Sequence, residues 1–190
     1  MRPSCSELEA LGRSLAFELR GYAHRRDVVV LARLPDVVPL AAEVARTLRA
    51  PLDLFLVRSL VLLEGGRLEI GVVASGSILI LDSETVRTHG VSAAMIATAA
   101  QAGARALARR ERAFRGEQAP LDLRHRKVIV ADDARSGLAA LRMTIAALRR
   151  RWVERVVLTA PTMPATVCDA LLAEADEIVA ALTMEPASVG

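Results

Sequence analysis

The 190-residue chain is 53% hydrophobic and 25% charged, with a net charge of +3, a composition that suits one compact domain, expected to bury about 70% of the surface of its unfolded chain. No stretch approaches the ~20 apolar residues of a bilayer crossing, and the amino-terminal residues lack the uninterrupted apolar run of a secretory signal, so a soluble, cytoplasmic protein is expected. Aromatic residues make up only 3% of the chain and Lys127 is its one lysine, which speaks against stacking surfaces or a basic patch for nucleic acid.

In chain order, Ser6 to Ala23 carries a helical stripe of Leu8, Leu11, Leu15 and Phe17 or Leu19. Val28 to Leu31 reads as a buried strand, and residues 32–41 form a turn into a helix through Ala45 and Leu48. Leu54 to Val57 is the next strand, followed by Arg58 and Ser59. Ile70 to Ala74 and Ser77 to Leu81 form a hairpin around Ser75-Gly76, preceded by a plausible turn at Glu64-Gly65-Gly66-Arg67. A long Ala-rich helix spans Ala93 to Arg115, with Met95, Ala99, Ala102, Ala106 and Phe114 on its packing side. Its cluster of Arg109, Arg110, Arg112 and Arg115, interleaved with Glu111, reads as a solvated face. Arg155 to Ala160 is a strand, Thr162 and Pro164 begin a helix through Leu171 and Leu172, and Ile178 to Leu182 closes the sheet. Trp152 is expected to anchor a helix end. Cys5 and Cys168 lack metal or redox spacing, and His24, His89 and His125 are scattered surface positions.

The stretch that organises the chain is Lys127 to Leu141. Val128 to Ala131 is a short β-branched run of the kind found in a central parallel strand, and it stops at Asp132-Asp133. From Leu138 the period becomes helical, with Leu138, Leu141, Ile145 and Leu148 on one face and Ser136 or Asp133 able to cap. Ligands in open parallel sheets sit beyond the carboxyl ends of strands, where a helix start offers unpaired N–H groups. Carboxylates repel a phosphate held there unless they have another task, such as accepting from vicinal sugar hydroxyls. On the residues alone a second reading stays open, in which one carboxylate caps the helix and the other is solvated.

This segment resembles the ribose-phosphate motif of the type I phosphoribosyltransferases, in which an apolar strand ends in two acidic residues followed by a small-residue loop. The resemblance covers about Val28 to Pro186. It implies a single domain over residues 1–190 with an α/β doubly wound, mainly parallel central sheet, flanking helices and a small β-hairpin insertion. It further implies that Asp132 and Asp133 are the catalytic-site carboxylates, contacting the ribose hydroxyls of phosphoribosyl pyrophosphate. Ala134, Arg135, Ser136, Gly137 and Leu138 would hold the 5-phosphate, with magnesium bound largely through the substrate and no separate protein metal site. The partner implied is a sugar phosphate or nucleotide of nucleotide metabolism.

The chain departs from the family pattern in its loops. Three residues, Ala134, Arg135 and Ser136, stand between the acidic pair and Gly137 where the family usually has four. The family's first strand-to-helix turn grips pyrophosphate with a Pro-Arg-Gly-Gly-like loop. Here Val38, Pro39 and Ala41 match its end, but Pro35, Asp36 and Val37 replace the Arg and both glycines. Arg58 matches a Val-Arg-Lys element and Ser59 does not, which leaves Arg33 and Arg58 as the cations able to compensate. Leu60 to Leu68 corresponds to the segment that closes over substrate. Three functions follow: a magnesium-dependent phosphoribosyltransferase releasing pyrophosphate, a non-catalytic ribose-phosphate or nucleotide-binding regulatory module, and a structural subunit that dimerises through an apolar surface. A homodimer is an assembly open to each.

Overall fold

The computed structural model describes residues 4–33, 35–62, 67–133 and 137–184, and the chain divides into two compact units, Met1–Leu54 with Leu121–Gly190, and Phe55–Pro120. Numbered along the chain, the first unit holds strands β1 (Val28–Ala32), β2 (Leu52–Leu54), β6 (Lys127–Ala131), β7 (Arg155–Pro164) and β8 (Glu177–Met184). Its helices are α1 (Cys5–Glu18), α2 (Val38–Leu48), α5 (Gly137–Arg149) and α6 (Ala165–Leu171). The second unit holds β3 (Val57–Leu62), β4 (Leu68–Ala74), β5 (Ile78–Leu81), α3 (Ser83–Thr88) and α4 (Ala93–Arg115). Among the described residues no helix is long and apolar enough to cross a membrane.

The first unit is a five-stranded, all-parallel sheet in the order β2-β1-β6-β7-β8. β1 is buried at all five positions and β6 at four of five, as their unbroken apolar runs require of strands covered on both faces. From β1 the chain crosses outward to β2, and from β6 it crosses the other way to β7 and β8. Right-handed crossovers in opposite directions place α2 on one face and α5 and α6 on the other, which makes the sheet doubly wound. α5 buries Leu141, Ile145 and Leu148, the stripe expected from the sequence, together with Thr144 and Ala147.

Several boundaries differ from the sequence reading. α1 starts at Cys5 because Ser4 and Glu7 form a capping box, and it gives way to a 3-10 turn at Leu19–Tyr22; Gly12 and Ala16 are buried where Phe17 is 63% exposed. The apolar run Leu54 to Val57 is not one strand: β2 ends at Leu54 and β3 begins at Val57 in a different sheet. Asp53 marks that exit. Its buried carboxylate accepts from the Leu54 N–H at 2.7 Å and from the Leu121 N–H at 3.0 Å, joining the points where the chain leaves and re-enters the first unit. Thr162 belongs to β7, and α6 begins only after Pro164. Trp152 is 73% exposed with φ +56°; its backbone, rather than its ring, does the joining, through a carbonyl that accepts from the His125 N–H.

The second unit is an antiparallel sheet in the order β3-β4-β5. The expected hairpin is present, with Ala74 opposite Ile78 across a three-residue turn. α4 has the predicted span but a different packing face. Gly103 and Leu107 are buried, Ala102 is exposed, and Met95 lines an open groove with Val61, Leu62 and Thr98 rather than filling the core. Of the arginine cluster, Arg109, Arg110 and Arg112 are exposed, while Arg115 folds back onto Glu111.

Ionic clamps lie at the amino ends of the parallel strands. Lys127 Nζ meets Asp27 at 2.7 Å and Glu154 at 3.2 Å, and Glu177 accepts from the Tyr22 hydroxyl at 2.5 Å and from Arg155 at 3.1 Å. Burial, followed by the Glu177 acceptor, pushes the Tyr22 phenol up to about 12. Hydrogen bonds from Arg25 and Lys127 hold the Asp27 carboxyl well below the usual carboxylate range. A depressed carboxylate contributes stability above its unfolded pKa and loses it as pH falls through the folded value. Acid titration of folding is therefore expected to show stability declining below about pH 4, with Asp27→Asn shallower than the parent. Parallel curves would remove Asp27 from the account.

Candidate functional site

The order β2-β1-β6-β7-β8 reverses direction between β1 and β6, and ligands in such sheets bind beyond the carboxyl ends of the strands flanking that switch point. The sequence places Ala32-Arg33 at one of those ends and Ala131-Asp132-Asp133 at the other. The register Ala32↔Ala131 sets them side by side, and the Arg33 N–H donates to the Ala131 carbonyl at 3.1 Å. The Asp132 N–H donates to the Thr159 carbonyl at 2.9 Å, which fixes the strand end from its other side.

At that point Arg33 Nε and Asp132 Oδ2 form an ion pair whose side chains are 3% and 1% exposed. Burial pulls the Arg33 guanidinium down to about 10, and the neighbouring Asp133 carboxylate opposes that shift, so Arg33 is a cation at neutral pH. Asp133 is partly exposed. The cluster is a buried ion pair with a partly exposed carboxylate beside it that also acts on Arg33. This is unlike the partly exposed clamps at the amino ends.

After Asp133 the chain enters α5 at Gly137, whose φ of +78° is left-handed backbone open to glycine and strained for other residues. Leu138 follows in the first turn of α5 and is half-buried. Ala134, Arg135 and Ser136, expected to complete the phosphate loop and cap, lie outside the described residues, as do Glu64, Gly65 and Gly66 of the Glu64–Arg67 turn. Arg58 is exposed within β3 of the second unit, paired across the sheet with Val73, rather than leaving a strand of the parallel sheet.

The turn after β1 is built differently from a glycine loop. Pro35–Val37 is a 3-10 turn, and Val37, at φ −95°, has a side chain only 1% exposed, while Asp36 is exposed. Thr159 is a site-adjacent residue that apolar periodicity does not single out. It is fully buried, and its hydroxyl has no hydrogen-bond partner among the described residues. The available signal is a lone threonine in the run Val156 to Ala160.

Solved structures share this fold. The chain superposes on TT1426 of Thermus thermophilus with a TM-score of 0.73 at 23% identity, covering 96% of this chain and 85% of that one. It superposes on the purine phosphoribosyltransferase of Pyrococcus horikoshii with a TM-score of 0.51 at 13% identity, covering 100% of this chain and 97% of that one. The chain has the type I phosphoribosyltransferase fold. Two Mycobacterium tuberculosis proteins, of strains H37Rv and CDC 1551, have names that assign them provisionally to the phosphoribosyl transferases; each is 30% identical over 172 residues, which is 90% of this chain. The chain spans 39% of the length of these curated relatives. No family model matches it.

Proposed function

We propose that this phosphoribosyltransferase-fold chain binds a ribose phosphate at the carboxyl end of β6. A carboxylate at the strand end accepts from vicinal sugar hydroxyls, and the backbone entering α5 donates to the phosphate. One observation carries the reading: an acidic strand end at the β1/β6 switch point, followed by left-handed Gly137 and a helix start. The names of the Mycobacterium relatives support the ligand class.

Phosphoribosyl transfer would displace pyrophosphate from the sugar's anomeric carbon, with magnesium arriving on the substrate to screen its phosphates. Asp133 fits such a role as a partly exposed carboxylate next to the phosphate turn; among the described residues no group of three His, Cys, Asp or Glu side chains forms a metal cage. Chemistry of this kind rests on positioning and charge rather than on a covalent nucleophile. The β1 turn is poorly equipped for it. A pyrophosphate grip needs N–H donors at close range and a cation, whereas this turn buries Val37 and adds Asp36.

Each lost charge-assisted contact costs ~1.5–3 kcal/mol, or very roughly ten- to a hundredfold in binding. The reading favoured is therefore a ribose-phosphate or nucleotide-binding module with weak pyrophosphate affinity and slow or absent transfer. Steady-state pyrophosphate release, assayed over a panel of purine and pyrimidine bases with magnesium, tests it. Rates far below about 1 per second are expected, and turnover at or above that order would establish a working transferase.

A further inference from the structure

The parallel sheet ends in two edges of very different length. β2, at one end, is a three-residue strand and offers little backbone to a partner. β8, at the other, runs over eight residues, and among the described residues it pairs only with β7. A strand bonded on one side directs the backbone N–H and C=O groups of alternate residues away from its neighbour. Along β8 that free side borders an open groove lined by Glu177 to Ala181 and by Ser14 and Glu18 of α1. The residues that usually blunt such an edge are missing, since β8 holds no Lys, Arg or Pro and Ile178 to Met184 is uncharged.

We infer that β8 pairs antiparallel with β8 of a second copy of this chain across a two-fold axis, joining their parallel sheets into one continuous sheet. Charge selects that occupant. Glu177 is already engaged by the Tyr22 hydroxyl and Arg155, and the uncharged run beyond it brings no like charges together when the strand meets itself. The same run offers no charge by which an acidic or basic segment would be chosen, and Glu18, the other carboxylate lining the groove, is exposed to screening water. The open groove on α4 is a poorer self-contact, because Arg105, Arg109 and Arg112 follow it along the exposed helix. Antiparallel pairing sets residues of like orientation opposite each other, so the axis passes at a residue, and the middle of β8 puts it at Ala180 or Ala181. Either choice keeps Ala180 beside its own copy.

Sedimentation of the full chain is expected to show a reversible monomer–dimer equilibrium, with hydrogen exchange from Ile178 to Thr183 slowing as concentration rises while β1 is unchanged. That measurement needs no substitution. Ala180→Lys and Ala180→Glu each place like charges at the axis and are expected to weaken dimerisation about tenfold or more. An equimolar mixture of the two variants is expected to regain association at or above the strength of the parent. Rescue of this kind separates a two-fold contact at β8 from damage to the fold, which mixing does not repair. A chain monomeric at every concentration overturns the inference, as does a dimer whose exchange in β8 ignores concentration. A dimer that both variants retain, or a mixture no tighter than either variant alone, overturns it equally.

Discussion

Asp132→Asn is expected to lower folding stability by about 3–5 kcal/mol, among the largest effects of any single polar substitution in this chain. The substitution keeps size and shape but takes from the Arg33 guanidinium, 3% exposed, the buried carboxylate it is paired with. Burial has already drawn that guanidinium down to about 10, which still leaves it charged at neutral pH, so it cannot escape the penalty by deprotonating there. Asp133→Asn, at the next residue but partly exposed, is expected to cost under about 1 kcal/mol. Replacing both partners, as Arg33→Met with Asp132→Leu, should recover most of the loss, because a well-packed apolar pair carries no desolvation cost. Urea unfolding of the three variants at neutral pH measures all of this. Equal, small shifts for Asp132→Asn and Asp133→Asn would mean that the pair is solvated.

Gly71→Ala is expected to cost about 3 kcal/mol or more, concentrated in the second unit. Gly71 has φ +145°, a region that side chains rarely adopt, so strain arises whatever the surroundings. The surroundings are also full. A Cβ there would overlap the Ile80 carbonyl oxygen and lie 2.8 Å from the Leu81 Cα, both backbone atoms of β5. Relief by moving away is blocked, since β4 is the middle strand and Gly71 faces Leu60 of β3 at the point where that pairing shifts register. Hydrogen exchange should show lost protection through Leu68–Ala74 and Ile78–Leu81 with β1 and β6 unaffected. Unchanged protection in the hairpin would show that β5 can yield.

The legible parts of the fold are those whose pattern is local. β6 and α5 follow from an unbroken β-branched run and a clean helical stripe, and α4 has its predicted ends because Ser92 caps one and Gly116 the other. The split between β2 and β3 is not legible, because Leu54, Phe55, Leu56 and Val57 form one apolar run and hydropathy does not register a change of sheet. Trp152 misleads for the opposite reason: large apolar side chains are usually buried, but here the backbone needs the left-handed turn and the ring is left outside. At the site, Arg33, Asp132 and Asp133 are each marked by their positions at strand ends. Their pairing is not, since it depends on β1 and β6 being neighbours in register, a long-range fact that no spacing encodes.

The central claim is that the turn between β6 and α5 takes the phosphate of a ribose phosphate and Asp133 its hydroxyls. A crystal structure of the full chain soaked in ribose 5-phosphate tests it most directly. The expected result is a phosphate within hydrogen-bonding distance, about 2.7–3.2 Å, of backbone N–H groups between Ala134 and Leu138, with a sugar hydroxyl on the Asp133 carboxylate. Ribose 5-phosphate bound elsewhere with this turn empty would contradict it.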